Sequence, residues 1–245
     1  MATSFQIPRM IDEHLLLRRS TKADADRLGK FYTSVFKLMD GSQDMGFIPL
    51  VNDMLNGTHP TFCEDDFTII EDTSSGEIVS AMNLISQTWT YDGIPFKVGR
   101  PEAVATAPAY RNRGLGRMQF DVVHEWSRER GELVLGITGI PFYYRLFGYE
   151  MCVDMEGGYL GYPETLPKLT DAQKQAYRVR VAEEKDISFI DAQYRRDCER
   201  LLLACQRDER LWRYEISGRC ADNDERKIIC IIESSEGETL GFCMH

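Results

Sequence analysis

The residue types best suited to chemistry stand together at Arg111-Asn112-Arg113-Gly114-Leu115-Gly116-Arg117. Two glycines let a backbone approach a ligand closely and take positive φ where a tight loop needs it. Three arginines can each offer an anion a two-pronged donor. Leu115, Met118, Val122, Val123 and Trp126 then recur at helical spacing, so the loop opens a helix. The first N–H groups of a helix are free and its dipole favours negative charge, which makes such a start a phosphate site. Ahead of it, Ala103-Val104-Ala105-Thr106-Ala107 reads as a strand closed by Pro108. The spacing fits neither the G-x-x-x-x-G-K-[ST] loop nor the G-x-G-x-x-G dinucleotide fingerprint. The plainer reading is a glycine-containing turn at a basic helix start.

Other reactive side chains form no pattern. The seven cysteines include no C-x-x-C pair, and the count is odd, which argues against a disulfide framework and a zinc site. The four histidines form no H-x-x-x-H pair, so no metal is expected. Cys152, between Met151 and Val153, reads as a packed strand residue rather than a nucleophile. Phe36, Met39, Trp89 and Tyr91 either line an acceptor pocket or belong to the core and its rim.

The whole chain constrains partners. It has 245 residues and a net charge of -10, which speaks against nucleic acid and against a polybasic membrane reader. It shows neither a signal-peptide pattern nor an apolar run long enough to span a bilayer. With reduced cysteines, this predicts a cytoplasmic protein.

These residues need a scaffold. Residues 14–19 read as a strand, followed by a helix carrying Leu28, Phe31, Tyr32 and Val35 and a second helix over 48–55. Strands are expected over 67–71 and 77–84, in a separate extended run ending at Trp89 and Tyr91 before the Asp92-Gly93 turn, and over 98–106, where Pro101 weakens the pattern. A strand over 133–138, a short helix over 141–147 stopped by Gly148, and a strand over 149–155 complete an α/β layered (α+β) arrangement. Gly157, Gly158, Gly161, Pro163 and Pro167, then the polar run 168–175, read as a crossing between domains. Beyond it come a strand over 177–181, a helix from Asp186 carrying Ile190, Tyr194 and Leu201–Leu203, and a hairpin of 227–233 with 239–244. An acidic Ser-Gly turn between apolar strands occurs in both halves, a weak repeat.

Arg111-x-x-Gly114-x-Gly116 resembles the acyl-coenzyme A pyrophosphate loop of the GNAT N-acetyltransferases, Arg/Gln-x-x-Gly-x-Gly/Ala. Tyr144-Arg145-Leu146-Phe147-Gly148-Tyr149 resembles their later motif, a tyrosine four residues before a Gly-aromatic pair. The resemblance is specific over 103–149 and fits residues 14–160 as a whole. It is closest to tandem enzymes of the "enhanced intracellular survival" type, whose second, degenerate GNAT unit the stretch from Val179 to His245 resembles. It implies a central mixed, mostly antiparallel sheet with splayed strands flanked by helices. It also implies a GNAT domain over 1–165, a linker over 166–177 and a partial second GNAT-like domain over 178–245. In those relatives a terminal carboxylate serves as base; this sequence stops short of that position.

The family chemistry maps onto this sequence residue by residue. Asn112, Arg113, Gly114, Leu115, Gly116 and Arg117, with Arg111, would hold the pyrophosphate of acetyl-CoA, a co-substrate. The strand Val104-Ala105-Thr106 would polarise the thioester carbonyl through a backbone N–H. Tyr144 would protonate the leaving thiolate, or else only pack among Phe142, Tyr143, Phe147 and Tyr149. Glu102 is the nearest carboxylate and the candidate base; strand alternation predicts a face shared with Val104 and Thr106, and an exposed strand carboxylate is the alternative. The acceptor would be a small-molecule or peptidic amine, a polycation suiting the acidic balance, or a protein lysine or N-terminus. A non-catalytic acyl-CoA sensor and an inactive shortened homologue remain open at this point. An unpaired strand edge in the second unit predicts association into a homo-oligomer.

Overall fold

The computed structural model describes residues 6–140, 142–153, 162, 167, 168, 170–223 and 225–244. The chain runs β1 (Arg9–Met10), β2 (Leu15–Arg19), α1 (Ala25–Val35), α2 (Phe47–Leu55), β3 (Phe67–Asp72), β4 (Glu77–Tyr91), β5 (Ile94–Thr106), α3 (Leu115–Glu129) and β6 (Val134–Leu135). It continues through α4 (Asp171–Ala176), β7 (Tyr177–Val181), α5 (Ile187–Cys198), β8 (Leu203–Cys205), α6 (Glu209–Arg213), β9 (Ile229–Ser234) and β10 (Thr239–Met244).

Two sheets result. The larger is ordered β1-β2-β3-β4-β5-β6, antiparallel except for the parallel β5–β6 contact, and β8 adds to β4. Helices cover both faces, as alternating apolar strands require. On one face Leu28, Phe31 and Tyr32 of α1 and Val51, Met54 and Leu55 of α2 pack on Phe67, Ile69, Ala81 and Ala105. On the other, Leu115, Phe120, Val122, Val123 and Trp126 of α3 pack on Leu15, Leu17, Ile70, Val79, Met82 and Leu84. The smaller sheet is β10-β9-β7, with its own core of Ile187, Ile190, Trp212, Ile229 and Ile231.

The two sheets are braced alike. Arg18 on β2 bonds Asp24 at 2.7 Å and Glu71 at 2.8 Å; Arg180 on β7 bonds Asp186 and Glu233, each at 2.7 Å. The two triads have the same spacing in sequence. In each, the aspartate caps the turn that opens the following helix, accepting from Thr21 N–H and Glu183 N–H, both at 2.9 Å.

Several expectations change. β4 is one continuous strand of fifteen residues, and β5 passes through Pro101 without a break. The carbonyls of Lys97 and Gly99 accept from Leu133 and Gly136, so the odd residues of this segment face β6. Pro101 therefore lacks its N–H on an edge that β6 has already left, and no ladder bond is lost. The strand expected over 133–138 pairs only at Val134 and Leu135. Residues 149–153 are unpaired, and instead the Tyr149 hydroxyl meets His124 Nε2 at 2.9 Å. Leu201 and Leu202 lie past the end of α5, and Leu203 belongs to β8. Within the expected linker, Asp171–Ala176 is helical, capped by Thr170, which accepts from Gln173 N–H. Gly157, Gly158, Gly161, Pro163, Met155 and His245 lie outside the described residues. Among the described residues no helix is long and apolar enough to cross a membrane.

Candidate active site

The site grows from one irregularity in β5. Ala81 pairs with Ala105 but Asn83 pairs with Glu102, so β5 carries an extra residue there. Ala103 takes φ +51, the left-handed turn that such a β-bulge needs. The bulge inverts the alternation. Ala107 N–H bonds the Val79 carbonyl, so the N–H groups of Thr106 and Val104 turn outward to the edge of β5. That edge is open beyond Gly99, because β6 pairs only as far as Leu135. The splay thus leaves backbone donors unpaired by β6 along the β5 edge.

The glycine loop follows the end of β5 and leads into α3. Asn112 (φ +63) and Gly114 (φ +76) take left-handed backbone, and Gly114 is the N-cap of α3. The N–H groups of Leu115, Gly116 and Arg117 begin the helix and have no intrahelical acceptor. Free N–H groups following left-handed backbone are the kind of donor array that can receive an anion. A Cβ at Gly116 would lie in ordinary contact with the Tyr143 hydroxyl, at 3.5 Å.

The arginines are placed differently from the loop's backbone. Arg111 Nε donates to the Thr106 carbonyl at 3.2 Å and ties the loop to β5. Arg113 pairs with Asp12 at 2.9 Å, its guanidinium 5.4 Å from the centre of the Tyr110 ring. Arg117 donates to the Leu146 carbonyl at 3.3 Å and lies over Phe147. In this arrangement all three guanidiniums are engaged by the protein itself.

Tyr144 opens the one-turn helix Tyr144–Phe147, stopped by Gly148 at φ +91. Its ring packs edge-on to Phe120 at 6.0 Å, and its Cδ2–Cε2 edge lies against Gly139, where any Cβ would overlap it. Burial, reinforced by Tyr143 and the charge of Glu102, pushes its phenol up to about 12. Glu102 is paired with Arg100. Burial raises its carboxyl above the usual range, against the opposing pull of Arg100, and Glu225 adds to the rise. Tyr144 and Glu102 therefore share one electrostatic neighbourhood.

The predicted common face of Glu102, Val104 and Thr106 is overturned. Asn83 lies directly opposite Glu102 and shares its face, flanked by Met82 and Leu84, which point to α3. Glu102 therefore faces α1 and α2. Val104 packs on the α3 side, and Thr106 Oγ1 meets Ser80 Oγ at 2.8 Å, which in turn bonds Gln119 of α3 at 2.6 Å. The alternation fails because the bulge lies between Glu102 and Val104. Of the candidate pocket residues, Phe36 is stacked on Phe47 at 4.6 Å and Met39 is fully exposed. Cys152 is exposed rather than packed. Asn83, Gly139 and Tyr143 carry no sequence signal: each matters through a contact made across the fold.

The family described as "Acetyltransferase (GNAT) domain" matches residues 17–152, more than half of the chain. The chain belongs to the GNAT acetyltransferase family. The mixed α/β sheet with its splayed edge is the GNAT fold. No curated protein sequence matches the chain. Among solved structures it is similar to Saccharomyces cerevisiae N-myristoyltransferase with bound myristoyl-CoA, at 12% identity and TM-score 0.67, over 98% of this chain and 61% of that one. It is also similar to a GCN5-related N-acetyltransferase from Kribbella flavida, at 16% identity and TM-score 0.55, over 90% and 52%. A conserved protein of Enterococcus faecalis V583 matches at 14% identity and TM-score 0.59, over 94% and 54%. The chain spans between about half and three fifths of the length of these structures. Identities this low speak for the fold.

Proposed function

We propose that this GNAT protein is an N-acetyltransferase that moves the acetyl group of acetyl-CoA to a primary amine within a ternary complex. The observation that carries this reading is the Gly114-capped start of α3 at the end of the open β5 edge. The two features offer a pyrophosphate seat and a pantetheine groove in one line. The residues fit acetyl-CoA as co-substrate: Asn112, Gly114 and the first-turn N–H groups of Leu115, Gly116 and Arg117 would take the pyrophosphate, with Arg111 holding the loop. Arg113 would reach a phosphate only by releasing Asp12.

The outward N–H groups of Val104 and Thr106 flank Ala105 and would polarise the thioester carbonyl; one such donor is typically worth about 3–4 kcal/mol. The amine nitrogen attacks that carbon and the C–S bond breaks. Tyr144 would give its phenolic proton to the departing thiolate, and Glu102 would take the proton the amine loses. An amine near pKa 10.4 is almost wholly protonated at pH 7, so a base set above the carboxylate range is useful. Holding both reactants in line can contribute roughly 7–11 kcal/mol.

The acceptor proposed is a small-molecule or peptidic amine. The second unit, 178–245, is proposed as a partial GNAT-like repeat of the tandem, "enhanced intracellular survival" type. The matching Arg18 and Arg180 braces support this. The test is thiol release from acetyl-CoA across a panel of amines, with Tyr144→Phe alongside. The proposal expects turnover that falls at least tenfold in Tyr144→Phe, with acetyl-CoA affinity kept. Acetyl-CoA binding without turnover on any amine would favour the sensor reading.

A further inference from the structure

The two sheets match strand for strand. Each arginine brace joins an aspartate 6 residues on and a glutamate 53 residues on. The braced strands also pair in the same register. Leu15, Leu17 and Arg19 of β2 lie opposite Asp72, Ile70 and Thr68 of β3, while Tyr177, Val179 and Val181 of β7 lie opposite Ser234, Ile232 and Cys230 of β9. Tyr177, Val179, Val181 and Ile232 therefore occupy the places of Leu15, Leu17, Arg19 and Ile70. In the larger sheet those places are the seat of α3. Leu15, Leu17 and Ile70 are at most 1% exposed in the cluster with Leu115, Phe120 and Val123, and the Arg19 guanidinium lies 3.8 Å from the centre of the Trp126 ring. In the smaller sheet Tyr177, Val179 and Val181 are 60%, 65% and 61% exposed. α5 and α6 pack on its other face, where Ile187, Ile190 and Trp212 meet Ile229 and Ile231. The exposed face is also the more apolar of the two, since Val181 stands in place of Arg19. A row of large apolar side chains left in water marks an interaction surface.

We propose that the β7–β9 face is a docking site for an amphipathic helix of a partner polypeptide, seated there as α3 is seated on the larger sheet. The helix presents an apolar stripe spaced like Leu115, Phe120, Val123 and Trp126. Val179 and Ile232 form the centre of its seat, with Tyr177 and Val181 at the two ends. A second copy of this chain is a poor source, because its own α3 is spent: Leu115, Phe120, Val123 and Trp126 are all buried against its own sheet. The β10 edge adds to the fit. β4, the counterpart of β10, carries β5 along its far side, and β5 runs on into α3. β10 pairs with β9 alone among the described residues, so a strand leading into the docked helix has an open edge to join. The acyl-transfer reading is not needed here, because the register match alone places the helix.

The experiment uses the full chain and a fluorescein-labelled synthetic peptide of residues 114–130, the helix that fills the matching seat. Fluorescence anisotropy reads its binding. A lone helix of this length is marginal in water, so the expected Kd is moderate, below about 100 µM. A peptide of the same composition with its apolar stripe scrambled should bind at least tenfold more weakly. Val179→Glu puts a charge at the centre of the seat and should weaken binding at least tenfold. Because Val179 is exposed, that variant should keep Tm within about 2 °C of wild type. Val181→Lys, at the end of the seat, gives a second reading if Val179→Glu unfolds, and should also weaken binding. No binding of the peptide, equal binding of the scrambled peptide, or unchanged affinity in the folded variants overturns the inference. A wild-type dimer in sedimentation equilibrium that Val181→Lys or Val179→Glu dissociates overturns it too, and gives the face to a second copy.

Discussion

The Asp53 carboxylate lies 2.7 Å from the side-chain amide of Asn223, and both groups are buried. Asp53 belongs to α2 and Asn223 to the loop before β9, so this contact joins the pairing of β8 with β4 in tying the smaller sheet's unit to the larger. Asp53→Ala leaves the Asn223 amide and the Cys220 N–H without their acceptor, which should cost about 1–3 kcal/mol of stability. Thermal melting reads the loss, and limited proteolysis should show new cleavage near 219–226. An unchanged melt and digest would mean the units hold together without it.

The two arginine braces predict acid sensitivity. Burial pushes the Asp24 carboxyl up, but hydrogen bonds from Arg18 and Thr21 outweigh it and hold it below the usual value. A carboxylate with a depressed folded pKa contributes stability above its unfolded pKa and loses it as pH falls through the folded one. Stability should therefore fall with acid below about pH 4, the unfolded range of aspartate. Arg18→Ala should lower stability at pH 7 and flatten that acid limb, as measured by denaturant melts across pH.

Tyr144 and Glu102 set the expected rate profile. Activity needs Glu102 ionised, and its carboxyl is raised by burial, so the acid limb of kcat/KM should lie above the ordinary glutamate range. Glu102→Gln should remove that limb. With the Tyr144 phenol at about 12, the proton donor stays protonated through pH 10 and no alkaline limb from it should appear below that. An acid limb unchanged in Glu102→Gln would assign the base elsewhere.

Gly139 is predicted to set the position of Tyr144. A Cβ at 139 would overlap the ring. Gly139→Ala should displace the phenol and lower kcat roughly 10²-fold, the scale of a misplaced catalytic group, with acetyl-CoA affinity little changed. Steady-state kinetics beside binding calorimetry separates the two. A parallel loss of affinity would point instead to a collapsed cleft.

Much of this was legible in the residues. The α3 stripe, the Gly114-x-Gly116 loop and the Gly148 stop each announce themselves by local spacing, and the structure has all three. The second hairpin was legible too, since its strands are apolar and its turn is acidic and short. β8 was not, because Leu201-Leu202-Leu203 reads as one helical run until Leu203 finds β4 across the fold. The face of Glu102 was misread for a related reason. A bulge of one residue inverts every side chain beyond it, and alanine at positive φ leaves no mark in the composition.

The central claim is that the Gly114 loop and the open β5 edge hold acetyl-CoA. Calorimetric titration of acetyl-CoA into the full chain, repeated with Gly114→Glu and Arg113→Ala, tests it most directly. Gly114→Glu places a carboxylate and a disfavoured φ at the helix cap and should weaken binding at least 100-fold. Arg113→Ala removes a side chain already paired with Asp12 and should weaken it less than tenfold. Measurable wild-type binding with that ordering is the predicted result. No wild-type binding, or equal affinity in Gly114→Glu, would contradict the account.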